Sequence, residues 1–328
     1  MERLTTVGRR VRIAAALMLA LVMCASVGVG SAHATDPVSG DPVVEAAGDI
    51  ACSPFDGRFN STCGMRATSD LILSDSAVDN VLALGDLQYE CGSYSDFLAS
   101  YDPSWGRVAA MTWPALGNHE YQRGNDPFGH ACPGQGLGYF HYWGSRVAGP
   151  TGNGYYSWDL GSWHLIALNS ECSFVPCDVT SAQTTWLKND LDNTSAQCTL
   201  AYWHRPRFTG KKNGPIGRTG PFWDLLYSHN AELVLNGHKH AYARFAPLTP
   251  AGVIDTTNGV RQFISGTGGK SRGLVPRRSR WLRRLIPPAA TACSGSSSIR
   301  PATTTSSSPP TAPSSTLAPL PATDESRA

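Results

Sequence analysis

The stretch VLNGHKHAYAR, residues 234–244, ends an apolar run with two histidines one residue apart, His238 and His240, behind Gly237. A short apolar run bounded by a glycine reads as a buried strand. Imidazoles at its end place nitrogen donors on one loop, which suits a transition metal. The same spacing also fits two polar residues on a turn, so the rest of the chain has to decide. Working outward, four other apolar runs close in the same manner. "VVEAAGDI" finishes on Asp49, and "NVLALGDLQY" on Asp86 with Tyr89 three residues later. "TWPALGNHE" finishes on Asn118 and His119, and "CTLAYWHRP" on His204.

Further apolar runs, "WHLIALN" and "RQFISGTGG", complete a set of buried strands between Val43 and about Gly269. Between them, "GMRATSDLILSD", "TSAQTTWLKNDLDN" and "GPFWDLLYSHN" have helical periodicity. Strands alternating with helices predict an α/β domain in which helices cover sheets. Loops at the strand ends of such a fold are where catalytic groups gather. The glycine before most of these polar residues is expected to let the chain turn sharply there. The aromatic segment "GYFHYWGSRVAGPTGNGYYSW" reads as packing and a β-hairpin.

The 328 residues leave room for a large core, and hydrophobic and charged contents of 41% and 16% are ordinary for a globular chain. The formal net charge of +2 conceals an uneven distribution. Residues 35–269 hold 14 Lys and Arg against 22 Asp and Glu, so the basic residues in excess sit at the two ends. A nucleic-acid function built on net charge is therefore not expected.

Residues 1–34 read as a secretory signal: arginines 3, 9, 10 and 12, an apolar run, then "AHA" at Ala32 to Ala34. The competing reading is a membrane anchor, since the run is about long enough to span. Its small residues and the "AHA" site favour cleavage, leaving no stable membrane span. Eight cysteines remain after residue 34, and export makes disulfides the default. Cys172 with Cys177 is the easiest pairing; Cys52 with Cys63 and Cys91 with Cys132 are the next guesses, although spacing does not fix connectivity. Residues 270–328 are Arg-rich and then Ser/Thr/Pro-rich, which predicts a disordered tail.

Carboxylate, amide oxygen, imidazole and phenol at successive strand ends are donors for first-row transition metals. Seven such residues are too many for one tetrahedral ion and natural for two ions sharing a bridge. The five motifs "GDI", "GDLQY", "GNHE", "YWHRP" and "GHKH", in this order, resemble the calcineurin-like metallophosphoesterase superfamily. "GDLQY" and the tyrosine after the histidine pair resemble its purple acid phosphatase branch.

The resemblance implies a four-layer α/β sandwich, two packed mixed β-sheets flanked by helices, with metals at the strand ends. It implies that Asp86 bridges the ions, that Asp49, Tyr89 and His240 complete one site, and that Asn118, His204 and His238 complete the other. The superfamily's histidine two residues after the first aspartate is absent here, where Ala51 stands. A phenolate favours a trivalent ion, so Fe(III) paired with Fe(II), Zn(II) or Mn(II) is expected. His119 resembles the superfamily's catalytic histidine, with Glu120 either orienting it or exposed in a turn. Arg205 and Arg207 either contact a substrate phosphate or lie on the surface.

The implied activity is a secreted hydrolase of small phosphate monoesters, acting by attack of a metal-bound hydroxide. A phosphodiesterase or nucleotide pyrophosphatase with the same ligands, and a catalytically impaired metal-binding protein, stay open. The superfamily pattern also implies further strands after "GTGG", which this sequence lacks. A reading-frame shift near Lys270 and an authentic short version with a stalk both account for that.

Overall fold

The computed structural model describes residues 42–57, 63–150, 152–210 and 217–270. The expected leader and the tail beyond Lys270 lie outside them. Among the described residues, no helix is long and apolar enough to cross a membrane.

In chain order the strands are β1 (Val44–Ala47), β2 (Asn80–Leu84), β3 (Thr112–Ala115), β4 (Arg123–Asn125), β5 (Ala131–Pro133) and β6 (Tyr156–Leu160). They continue as β7 (Trp163–Ala167), β8 (Cys198–Trp203), β9 (Leu233–Asn236), β10 (Tyr242–Leu248) and β11 (Val260–Ser265). The helices are α1 (Met65–Leu73), α2 (Tyr94–Asp96), α3 (Leu137–Trp143), α4 (Ala182–Asn193) and α5 (Gly220–Ser228). Each of the seven apolar runs and three helical stretches marked in the sequence forms the expected element.

β1, β2 and β3 form a parallel three-stranded sheet with β2 central. A six-stranded mixed sheet runs in the order β10-β11-β9-β8-β7-β6, with parallel pairing at its centre and antiparallel strands at both edges. Side chains alternate across a strand, and the larger sheet uses both faces. Leu165, Leu200, Tyr202, Leu233, Leu235 and Phe263 join an apolar cluster with Leu82 and Leu84 of the smaller sheet. Ile166, Ala201, Trp203 and Val234 point the other way, onto Leu187 and Leu191 of α4 and Phe222 and Leu226 of α5. On the smaller sheet, Met65 and Ile72 of α1 and Trp105 and Val108 of a 3-10 segment enter the first cluster. Burial on both faces explains why the central strands read as continuous apolar runs. The result is the expected four-layer α/β sandwich.

The structure departs from the sequence reading in three places. β10 is added beside β11 as an antiparallel edge, because its alternating exposure leaves only a weak apolar signal. The first six residues of the aromatic segment belong to α3, and only its end enters the β6–β7 hairpin. A small antiparallel β4–β5 pair sits in the long loop after β3. The three guessed disulfides are present, Cys52–Cys63, Cys91–Cys132 and Cys172–Cys177.

Candidate metal centre

The ends of β1, β2, β3, β8 and β9 converge, and they carry all seven residues the motifs singled out. Asp49, Asp86 and His238 adopt left-handed backbone, with φ of 60°, 50° and 67°. Such angles are strained for residues other than glycine. The sharp turn is made by the polar residues and, before Asp86, also by Gly85 with φ of 81°, where the role expected of the preceding glycine holds. The glycines also serve close approach. A Cβ on Gly117 would meet the Asp86 backbone N and Oδ1 at 2.3 Å, and one on Gly237 would meet Asp49 Oδ2 at 2.9 Å.

Two clusters of donor atoms share one carboxylate. In the first, the Tyr89 hydroxyl donates to Asp49 Oδ1 at 2.9 Å and to Asp86 Oδ2 at 3.1 Å. His240 Nε2 lies 3.0 Å from both the Tyr89 hydroxyl and Asp49 Oδ1. In the second, His204 Nε2 lies 3.0 Å from Asp86 Oδ2 and 3.2 Å from His238 Nδ1. Donor atoms of Asp86, His204 and His238 all lie within 4.8 Å of one another. The His204 ring is fixed from behind by the Leu84 carbonyl, 2.9 Å from Nδ1. Asp86 Oδ2 belongs to both clusters.

The centre is buried and short of positive charge. Burial pushes Asp86 up, yet the imidazoles of His204 and His119 hold its carboxyl well below the usual range. Burial works against a charge on His204, but the Asp86 carboxylate carries it up to about 10. Burial, then the charges of His204 and Arg205, bring His238 down to about 3. Burial and the carboxylates of Asp86 and Asp49 raise the Tyr89 phenol well above its ordinary value. Without an ion, protons held on His204 and Tyr89 answer the carboxylates, whereas cations would engage the whole donor set.

Asn118 supplies an independent sign. Its Oδ1 is buried and accepts no hydrogen bond. An orphaned buried acceptor costs roughly 1–3 kcal/mol, which a Lewis acid would recover. The donor set, the shared carboxylate and this orphaned oxygen fit two metal ions. The other compact acid and thiol group, Cys52, Asp56 and Cys63, offers no thiolate because its cysteines are disulfide-bonded.

His119 packs on the Tyr89 ring, with centroids 4.1 Å apart, and its backbone N–H donates to Asp86 Oδ1 at 2.8 Å. Its Nδ1 meets the Glu90 carbonyl, leaving Nε2 4.0 Å from Asp86 Oδ2. Glu120 does not orient it and is not exposed. Fully buried, Glu120 accepts backbone N–H groups of Leu87 and Gln88 on Oε1 and of Asp86 and Gly117 on Oε2. Burial and the neighbouring Asp86 push it up to about 7 against the pull of those N–H groups. Sequence reasoning missed this anchor; an acid beside an apolar run, inside a motif, was its one trace.

The two arginines after β8 separate. Arg205 donates from Nε to the buried Glu171 at 2.8 Å and lies 3.3 Å from His238 Nε2. Arg207 turns away toward the Pro250 carbonyl. Arg244 lies over the Phe263 ring and Tyr242 stands half-exposed on β10, both outside the donor set. His130, His141, His164 and His229 pair with Asp126, Tyr94, Asp159 with Asp190, and Asp192, away from the seven.

Residues 57–242 match the calcineurin-like phosphoesterase family. The chain belongs to that family. The match begins after Asp49 and covers the other six donor residues. The chain is similar to acid phosphatase type 7 of Homo sapiens, 25% identical over 60% of this chain and 50% of the relative. It is 28% identical to probable inactive purple acid phosphatase 9 of Arabidopsis thaliana, over 54% of this chain and 31% of the relative. The chain thus spans about half or less of the length of these relatives. A purple acid phosphatase structure from yellow lupin, PPD1, superposes with a TM-score of 0.52 at 19% identity, covering 72% of this chain and 46% of that one. That likeness concerns the fold.

Proposed function

We propose that this calcineurin-like phosphoesterase hydrolyses small phosphate monoesters with two metal ions, one of them Fe(III), outside the cell. The observation that carries the reading is Asp86 Oδ2, placed 3.1 Å from the Tyr89 hydroxyl and 3.0 Å from His204 Nε2. One oxygen common to two donor clusters is what a bridging ligand requires. Asp49, Tyr89 and His240 would hold one ion with Asp86, and Asn118, His204 and His238 the other. The phenol of Tyr89 favours the trivalent ion, with Fe(II), Zn(II) or Mn(II) beside it. When bound, the pair supplies Lewis acidity toward a phosphoryl oxygen and lowers the pKa of a water.

The chain's own residues do the rest. The left-handed turns at Asp49, Asp86 and His238 fix the donors before substrate arrives, so little reorganisation remains during reaction. Glu120 ties the loops after β2 and β3 together. His119, held by the Glu90 carbonyl at Nδ1, can deliver a proton from Nε2 to the oxygen leaving phosphorus. The three disulfides between described residues agree with an oxidising compartment, in support of secretion.

Purified protein should contain two ions per chain and turn over p-nitrophenyl phosphate faster than bis(p-nitrophenyl) phosphate. Faster cleavage of the diester would move the reading to a phosphodiesterase. Two bound ions without turnover of either ester would leave a metal-binding protein and overturn the enzymatic reading.

A further inference from the structure

Lys270, the last described residue, is drawn into the centre. Its ammonium lies 4.6 Å from the centroid of the Tyr89 ring. It is ion-paired with Glu90 and sits 3.8 Å from Asp56 Oδ2, with its side chain only 12% exposed. Its backbone N–H donates to the Asp49 carbonyl at 2.9 Å. Both ends of the residue are therefore fixed against the loops that present Asp49 and Tyr89.

A buried ammonium is retained where it is paired, and one carboxylate would suffice for that. Here the cation is also seated on the aromatic face of a donor residue. A cation over a π face is attracted to, and stabilises, the electrons of the ring. We propose that Lys270 is a positioning residue that acts through Tyr89, setting how strongly the phenolate donates to the trivalent ion. The inference rests on the reading that Tyr89 ligates that ion. Lowering the energy of the ring electrons raises the energy needed to move one from phenolate to metal. Glu90, and Asp56 at longer range, oppose this by partly neutralising the ammonium.

The test is the visible spectrum of the full chain loaded with Fe(III), with iron content measured on the same samples. Lys270→Met should move the tyrosinate-to-iron absorption maximum to longer wavelength by roughly 10 nm or more, on the scale of a partly buried cation–π contact. Lys270→Arg, which keeps the charge, should restore the maximum to within a few nanometres of the parent value, a scale set by the same contact. Glu90→Gln should move it the opposite way, and gives an answer even if Lys270→Met does not fold. A parent band with an unmoved maximum in Lys270→Met, or in Glu90→Gln should the former not fold, overturns the inference alone. Equal shifts in the Met and Arg variants overturn it too, since shape and not charge would then be responsible. No band in iron-loaded parent protein overturns the assignment of Tyr89 itself.

Discussion

At the scale of single residues, the centre depends on an acid that touches none of the reacting atoms. Glu120 uses both carboxylate oxygens to accept four backbone N–H groups from two loops. Glu120→Gln would turn an amide NH2 toward two of those donors. Leaving buried donors unmet should lower stability by about 3 kcal/mol, with metal content falling in parallel. Chemical denaturation beside metal analysis checks both, and an unchanged midpoint would remove the anchoring role. The positions of the seven candidate donors were legible in the sequence because they follow apolar runs in a fixed order. Glu120, Glu90 and Lys270 were not, because their parts depend on which loops the fold brings together. Ala51 shows the converse. It occupies the position where much of the superfamily has a histidine, and its backbone instead pairs with Gln88 to seat the Tyr89 loop.

Among the elements, β6, β7 and α4 are joined by one imidazole. His164 on β7 faces its register partner Asp159 on β6 at 2.7 Å and Asp190 on α4 at 2.9 Å. Burial disfavours its charge, but the carboxylates of Asp190 and Asp159 outweigh burial and raise its pKa. A folded-state pKa above the unfolded value near 6.5 gives stability that is complete below about 6.5 and is lost as pH rises through the folded value. His164→Gln should therefore cost about 2 kcal/mol at pH 5 and much less at pH 9. Urea midpoints at the two pH values check this, and equal losses would refute it. The central strands were readable because burial on both faces makes them apolar throughout. β10 was not, since an edge strand with alternating exposure carries the composition of a loop. α3 was hidden by aromatic residues, which favour strands as readily as a packed helix face.

Across the molecule, covalent links hold the loops that the sheets do not. Cys91–Cys132 closes a segment of 41 residues that contains Asn118, His119 and Glu120. Removing it by Cys91→Ser with Cys132→Ser should cost about 4 kcal/mol through the unfolded state, or roughly 10 °C in melting temperature for a domain of this size. Calorimetry checks the shift, and a loss below a few degrees would show that the loop is held by packing alone. The two sheets meet through packed side chains and a few hydrogen bonds to the backbone, among them Gly48 N–H to the Ser265 carbonyl, and the donor residues are divided between them. Asp49, Asp86 and Asn118 follow strands of the smaller sheet, whereas His204, His238 and His240 follow strands of the larger one. Occupancy of the centre is thereby a gauge of alignment between the layers. A substitution in the shared core, far from every donor, is therefore expected to show as missing metal as well as a lower melting temperature.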